Sequence, residues 1–315
     1  MARAIKINGR VIPRGGREVL GMEIASGARA GALSLPVCVF RGEEDGPALL
    51  VTAGLHGDEL NGIEALRRMI SDGSIVPDAG AVIAIPIANV WGFLNSSRFL
   101  PDGKDLNRGF PGSASGTLSQ NIARAIMRRV LPAADCGLDL HSGGESENYP
   151  HIRCDTSDPG NMELARAFSP PFILNSPLRE GTFRKAAWQS GKNVLVYEGG
   201  ESRRLSEFAV SECINGILRI MDYLNMTGSG APERNETRVM EKSAWIRAKH
   251  GGAYSPRLSC GARVSKGEII ADITGAEGAG PAGIAAKASG YALSVRPARD
   301  VSRGDFLINL GTHVV

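Results

Sequence analysis

Several protein classes depend on features that this sequence has little of. Five cysteines, Cys38, Cys136, Cys154, Cys213 and Cys260, are an odd number, widely spaced and without a C-x-x-C pair. That pattern argues against a cysteine metal knuckle or a dithiol redox centre and predicts reduced, mostly interior thiols. Long hydrophobic runs are missing as well. The longest, Ala81 to Leu94, is interrupted by Pro86, Asn89 and Gly92 and is too short to cross a bilayer. The first residues lack the apolar segment of a signal peptide, so the sequence predicts a cytoplasmic protein with no membrane partner. An excess of one charge is absent too. The net charge is +3, and residues 1–234 hold 25 Lys/Arg against 26 Asp/Glu while 235–315 hold 11 against 7, which leaves no basic stripe for nucleic acid.

What is present suffices for a core. With 43% hydrophobic residues in 315, the chain can bury the interior of one large domain and one small one. After an N-terminal stretch of strands of uncertain extent (1–46), apolar β-like runs at Ala48–Ala53, Ala81–Ile87, Cys136–Leu140 and Asn193–Tyr197 alternate with helical patterns. The helices are expected near Leu60–Ser71, Leu118–Leu131, Pro159–Phe168 and Ser206–Leu224, the second opened by a Thr117/Gln120 capping box. That order predicts an α/β fold, a largely parallel sheet wrapped by helices.

The polar stretch Asn225 to Asn235 reads as a boundary between a domain at 1–228 and a second at 236–315. The second part is rich in short β-like runs and glycine turns, and it repeats itself. Ala262-Arg-Val-Ser-Lys-Gly-Glu recurs as Ala298-Arg-Asp-Val-Ser-Arg-Gly-Asp, which suggests a two-fold β module.

The chemistry concentrates at strand ends. Leu49-Leu-Val-Thr-Ala-Gly-Leu-His56-Gly-Asp-Glu59 places a histidine and a glutamate three apart just after a buried strand, where open α/β sheets bind ligands. A hydrolytic zinc site needs three ligands from His, Asp and Glu and leaves a fourth position open. Gly137-Leu-Asp139-Leu-His141-Ser-Gly-Gly144 offers His141 as the third ligand, with Asp139 on the same side of the strand as a partner or a purely structural residue. Val194-Leu-Val-Tyr-Glu198-Gly-Gly puts one carboxylate after an apolar run, where burial is costly without a task. A general base acting on water beside the metal is such a task, and a structural ion pair is the alternative. Between them, Arg98-Phe-Leu-Pro-Asp-Gly-Lys-Asp105-Leu-Asn107-Arg108 presents guanidinium groups suited to a carboxylate or a developing oxyanion.

Together these pieces resemble the aspartoacylase and succinylglutamate desuccinylase family, within the zinc carboxypeptidase-like fold. The resemblance covers about residues 45–205, and the C-terminal β module is similar to the one appended in this family. It implies a mixed sheet flanked by helices, followed by a small all-β barrel-sandwich-like domain. It also implies one zinc ion per chain on His56, Glu59 and His141, and catalysis by Glu198. The D-L-N-R match implies that Asn107 and Arg108 bind a substrate carboxylate, and Arg98 corresponds to the arginine that polarises the scissile carbonyl. The activity implied is hydrolysis of a small N-acylated amino acid or related amine, with deacylases of the H-G-D-E type, including those acting on N-acetylated diaminobutyrate, the more similar branch. A metallocarboxypeptidase acting on short peptides and a non-catalytic carboxylate-binding homologue are the alternatives.

Other signals carry less. Gly278-Ala-Gly280-Pro-Ala-Gly283 matches G-x-G-x-x-G but lacks the strand-to-helix context of a dinucleotide site. The C-terminal repeat resembles the barrel-sandwich module of biotinyl and lipoyl carriers, but Lys287, in Ala-Ala-Lys-Ala-Ser-Gly, lacks the flanking residues of their modified lysine, so a structural or homo-oligomer-forming module is expected. His151, His250 and His313 have no ligand spacing, although His151 is near enough in sequence to His141 to line the same pocket.

Overall fold

The apolar run at 48–53 becomes the inner part of strand Glu44–Ala53, which is buried from Ala48 onward. The computed structural model describes residues 4–27, 31–228, 230–275 and 280–314. Glu44–Ala53 pairs in parallel with Ala79–Ile85 on one side (Leu50 opposite Ile83) and with Cys136–Gly143 on the other (Val51 opposite Leu138). Strand Asn193–Glu201 follows in parallel beside Cys136–Gly143, with Glu198 opposite His141. These strands are apolar without alternation because both faces are covered, as parallel sheets require.

Two strands that the periodicity does not reveal widen the sheet. Glu147–Cys154 runs antiparallel to Asn193–Glu201, and Phe172–Asn175 lies parallel to it. At the far edge the N-terminal segments form a hairpin, Arg17–Gly27 against Gly31–Arg41, and the latter pairs with Ala79–Ile85.

Helices Leu60–Asp72, Pro159–Phe168 and Glu207–Tyr223 cover one face, enclosing Leu66, Met69, Leu138, Phe168, Tyr197 and Ile217. The opposite face is closed by Leu118–Ala125, Phe183–Gln189 and N-terminal strands around Val37, Leu50, Ile83, Ile122 and Phe183. Each fully buried side chain of this size contributes about 1.5–3 kcal/mol. The helix expected over 118–131 is shorter. It is α-helical to Ala125, widens to a π turn over Ile126–Val130 and ends in a 3-10 turn at Leu131–Ala133, where Pro132 has no N–H to continue the ladder.

After the polar stretch, strand Arg238–Arg247 pairs in parallel with Phe172–Asn175, so the C-terminal strands extend the main sheet to twelve. A second, four-stranded sheet built from Gly252–Pro256, Ile269–Thr274, Ala282–Ala285 and Arg299–Val301 completes the β module. Tyr254, Ile270, Ile273, Leu307 and Ile308 form a separate core there, which is the expected barrel-sandwich-like arrangement. The glycine run at 278–283 lies partly outside the described residues, and Lys287 is exposed in the turn before strand Gly290–Val295.

Candidate functional site

The chain leaves Glu44–Ala53 for Ala79–Ile85 on one side and then crosses to Cys136–Gly143 on the other. Such a reversal opens a crevice at the carboxyl ends of the two central strands. His56 follows one of these strands and His141 lies near the end of the other. The turn carrying His56 is tight: a Cβ at Gly57 would lie 2.0 Å from the Gly92 carbonyl carbon, so only glycine fits. Glu59 occupies the N-cap position of helix Leu60–Asp72, yet its carboxylate makes no capping bond and turns into the crevice.

His56, Glu59 and His141 are all buried, and one ligand atom from each lies within 4.8 Å of the others. His56 Nδ1 is 2.6 Å from Glu59 Oε1, and His141 Nδ1 is 2.9 Å from Glu59 Oε2. The outer nitrogens face carboxylates: His56 Nε2 is 3.0 Å from Asp105 Oδ1, and His141 Nε2 is 2.8 Å from Asp139 Oδ2. Asp139 is anchored in turn by the Thr52 hydroxyl, which donates at 2.7 Å. Imidazoles whose second nitrogen is held by a carboxylate are the usual form of metal-ligating histidine.

The charges favour a cation. Burial opposes charge on both imidazoles, but Glu59 and Asp105 around His56, and Asp139 and Glu59 around His141, outweigh it and push both pKa values up, His141 strongly. Burial likewise works against ionisation of Glu59, yet the two histidines hold it well below the usual carboxylate range. This donor set of two imidazoles and one carboxylate, each oriented by its neighbours, can hold a divalent metal ion.

The other candidates line the same cavity of about 420 Å³. Glu198 stands beside His141 in the sheet, and its carboxylate accepts from Asn148 Nδ2 at 3.0 Å and Arg153 Nη1 at 3.1 Å. Arg98 donates to Glu59 at 3.2 Å and to Asp105 at 2.9 Å, beside the His56, Glu59 and His141 cluster. Asn107 is fixed by Phe183 N–H, which donates to its Oδ1 at 2.9 Å, while its Nδ2 lies 3.5 Å from His141 Nε2. Arg108 is exposed and donates to the Asn107 carbonyl at 2.6 Å. His151 is buried opposite Glu198 but does not line the cavity; burial lowers its pKa, and its Nδ1 donates to the Tyr149 carbonyl at 2.7 Å.

Several lining residues carry no sequence signal: Asn148, Arg153, Arg184, Ser294 and Arg296, with Trp245 and Phe306 at the wall. Arg184 is buried, which pulls its pKa down to about 10, and its Nη1 has no hydrogen-bond partner. Trp245, Ser294, Arg296 and Phe306 come from the C-terminal module, so that module completes the cavity.

A sequence profile of the succinylglutamate desuccinylase/aspartoacylase catalytic domain matches residues 45–224. The chain is 30% identical over 293 residues to the N-alpha-acetyl-L-2,4-diaminobutyric acid deacetylase of Halomonas elongata, covering 87% of this chain and 84% of that protein. Among solved structures, a succinylglutamate desuccinylase/aspartoacylase from Rhodobacter sphaeroides superposes with a TM-score of 0.82 at 25% identity, over 95% of this chain and 97% of the other. The product-bound ectoine utilization protein EutE from Ruegeria pomeroyi shares the fold with a TM-score of 0.85 at 22% identity, over 99% and 100% of the two chains. Profile and relative agree with the histidine–glutamate cluster at the strand ends: the chain belongs to the succinylglutamate desuccinylase/aspartoacylase family.

Proposed function

We propose that the protein is a cytoplasmic zinc-dependent deacylase that hydrolyses the amide bond of a small N-acylated amine bearing a carboxylate, of the N-acetyl-diaminobutyrate type. The observation that carries this reading is the buried cluster of His56, Glu59 and His141 opening onto a cavity shared with Glu198. When bound there, one zinc ion per chain would supply a Lewis acid that acidifies water and polarises the amide carbonyl.

The chain's own groups do the rest. Glu198 takes a proton from the attacking water as its oxygen bonds to the carbonyl carbon, then delivers it to the leaving nitrogen as the C–N bond breaks. Arg98 faces the charge that develops on the carbonyl oxygen. Asn107 Nδ2 and the Arg108 guanidinium orient the substrate through its carboxylate. The relative from Halomonas supports an acetylated diamine as the substrate type. Trp245 and Phe306, in ring contact at 5.0 Å, supply an apolar part of the cavity lining.

Zinc-loaded protein should release free amine from a panel of N-acetyl, N-succinyl and N-formyl amino acids and diamino acids, with an acetylated diamino acid preferred. No turnover on any of them, with short peptides cleaved instead, would transfer the reading to a carboxypeptidase.

A further inference from the structure

Strand Gly290–Val295 pairs with Phe306–Val314 and also with the tip of Glu147–Cys154, which sets Ser294 opposite Asn148. Ser294 is 2% exposed, and its hydroxyl donates to Asn148 Oδ1 at 2.6 Å. Asn148 Nδ2 donates in turn to Glu198 Oε2 at 3.0 Å. The second Glu198 oxygen accepts from Arg153 Nη1, whose other terminal nitrogen donates to Ser176 Oγ at 3.2 Å.

The direction of this chain follows from its chemistry. An amide has one donor end and one acceptor end, and a carboxylate accepts only. Asn148 must therefore turn its NH₂ to Glu198, which leaves its oxygen for a donor, and the Ser294 hydroxyl is that donor. Hydrogen bonds to an ionised acceptor are the stronger kind, so fixing the amide fixes the carboxylate.

We propose that Ser294, supplied by the C-terminal module, is a positioning residue that acts through Asn148 to hold Glu198 where it meets the attacking water. The proposal rests on the reading of Glu198 as the general base. It gives the C-terminal module a part in turnover itself, beyond shaping the cavity wall.

A double-mutant cycle on the zinc-loaded full-length enzyme tests it, with zinc content, kcat and KM measured for Asn148→Ala, Ser294→Ala and the pair. Asn148→Ala should lower kcat roughly 10- to 100-fold and Ser294→Ala about 3- to 10-fold, in keeping with a charged and a neutral hydrogen bond. KM and zinc content should stay near wild type, because the relay touches the base and neither the ligands nor the carboxylate clamp. The pair should be no worse than Asn148→Ala alone. Multiplying effects, or a Ser294→Ala enzyme that melts earlier with unchanged kcat, would overturn the relay. Glu198→Ala keeps the two failures apart: an active Glu198→Ala enzyme removes the general-base reading as well, whereas an inactive one beside a multiplying cycle removes only the relay.

Discussion

His56 and His141 each present one nitrogen to Glu59 and the other to an aspartate, so the two rings and Glu59 form one cluster. His56→Ala or His141→Ala should lose metal and turnover together, read by metal analysis and an amine-release assay; full metal in either variant would remove that histidine from the ligand set. Glu198 lies outside the cluster. Glu198→Ala should keep its metal while losing on the order of 10²–10⁴ in turnover, and loss of metal in that variant would make Glu198 a ligand. The two arginines should separate kinetically. Arg108→Ala should mainly raise KM, roughly 10- to 150-fold for a lost charge-assisted bond, and should cost little more once the substrate carboxylate is converted to an amide. Arg98→Ala should mainly lower kcat, by about 10²–10³; a KM effect alone would assign it to binding. His56, Glu59, His141 and Glu198 could be read from the sequence because each follows or ends an apolar run. Asp139 was signalled by its spacing of two from His141. Asn148, Arg153 and Ser294 could not be read, because they meet only when segments far apart in the chain pair in the sheet, and Arg184 reaches the cavity from helix Phe183–Gln189.

At the scale of elements, the central strands and most helices follow from periodicity, and the exceptions have physical causes. Glu147–Cys154 is polar and contains Pro150, which lacks the N–H of a sheet interior. It is accommodated because the ladder with Asn193–Glu201 shifts register between Glu198 and Gly200, beside Tyr149 and Pro150. The internal repeat does build one turn twice. Ser265 N–H donates to Glu268 Oε2 at 2.8 Å and Ser302 N–H to Asp305 Oδ2 at 3.0 Å, with Gly267 and Gly304 at positive φ. The histidine turn leaves no room for a side chain at Gly57. Gly57→Ala would push a methyl into the backbone of Gly92, so a loss of about 1–3 kcal/mol and a weakened metal site are expected. Unchanged melting temperature and metal affinity would show that the turn can move.

For the whole molecule, we propose that 1–228 and 236–315 are distinct units whose strands nevertheless share one sheet. Met240 and Leu293 from the second pack against Phe172 and Leu174 of the first. Deleting 236–315 should bare the edge of Phe172–Asn175 and this apolar cluster, giving aggregation or self-association by size-exclusion chromatography. A soluble, fully active remnant would reduce the module to an appendage. No helix among the described residues is long and apolar enough to cross a membrane.

We propose that a metal held by the His56, Glu59 and His141 cluster drives amide hydrolysis. The direct test is a zinc titration of chelator-stripped enzyme, following amine release from Nα-acetyl-2,4-diaminobutyrate. Activity should be absent without metal and should rise to a plateau at about one zinc per chain. Hydrolysis that persists in the stripped enzyme, or that needs no zinc to reach its plateau, would contradict it.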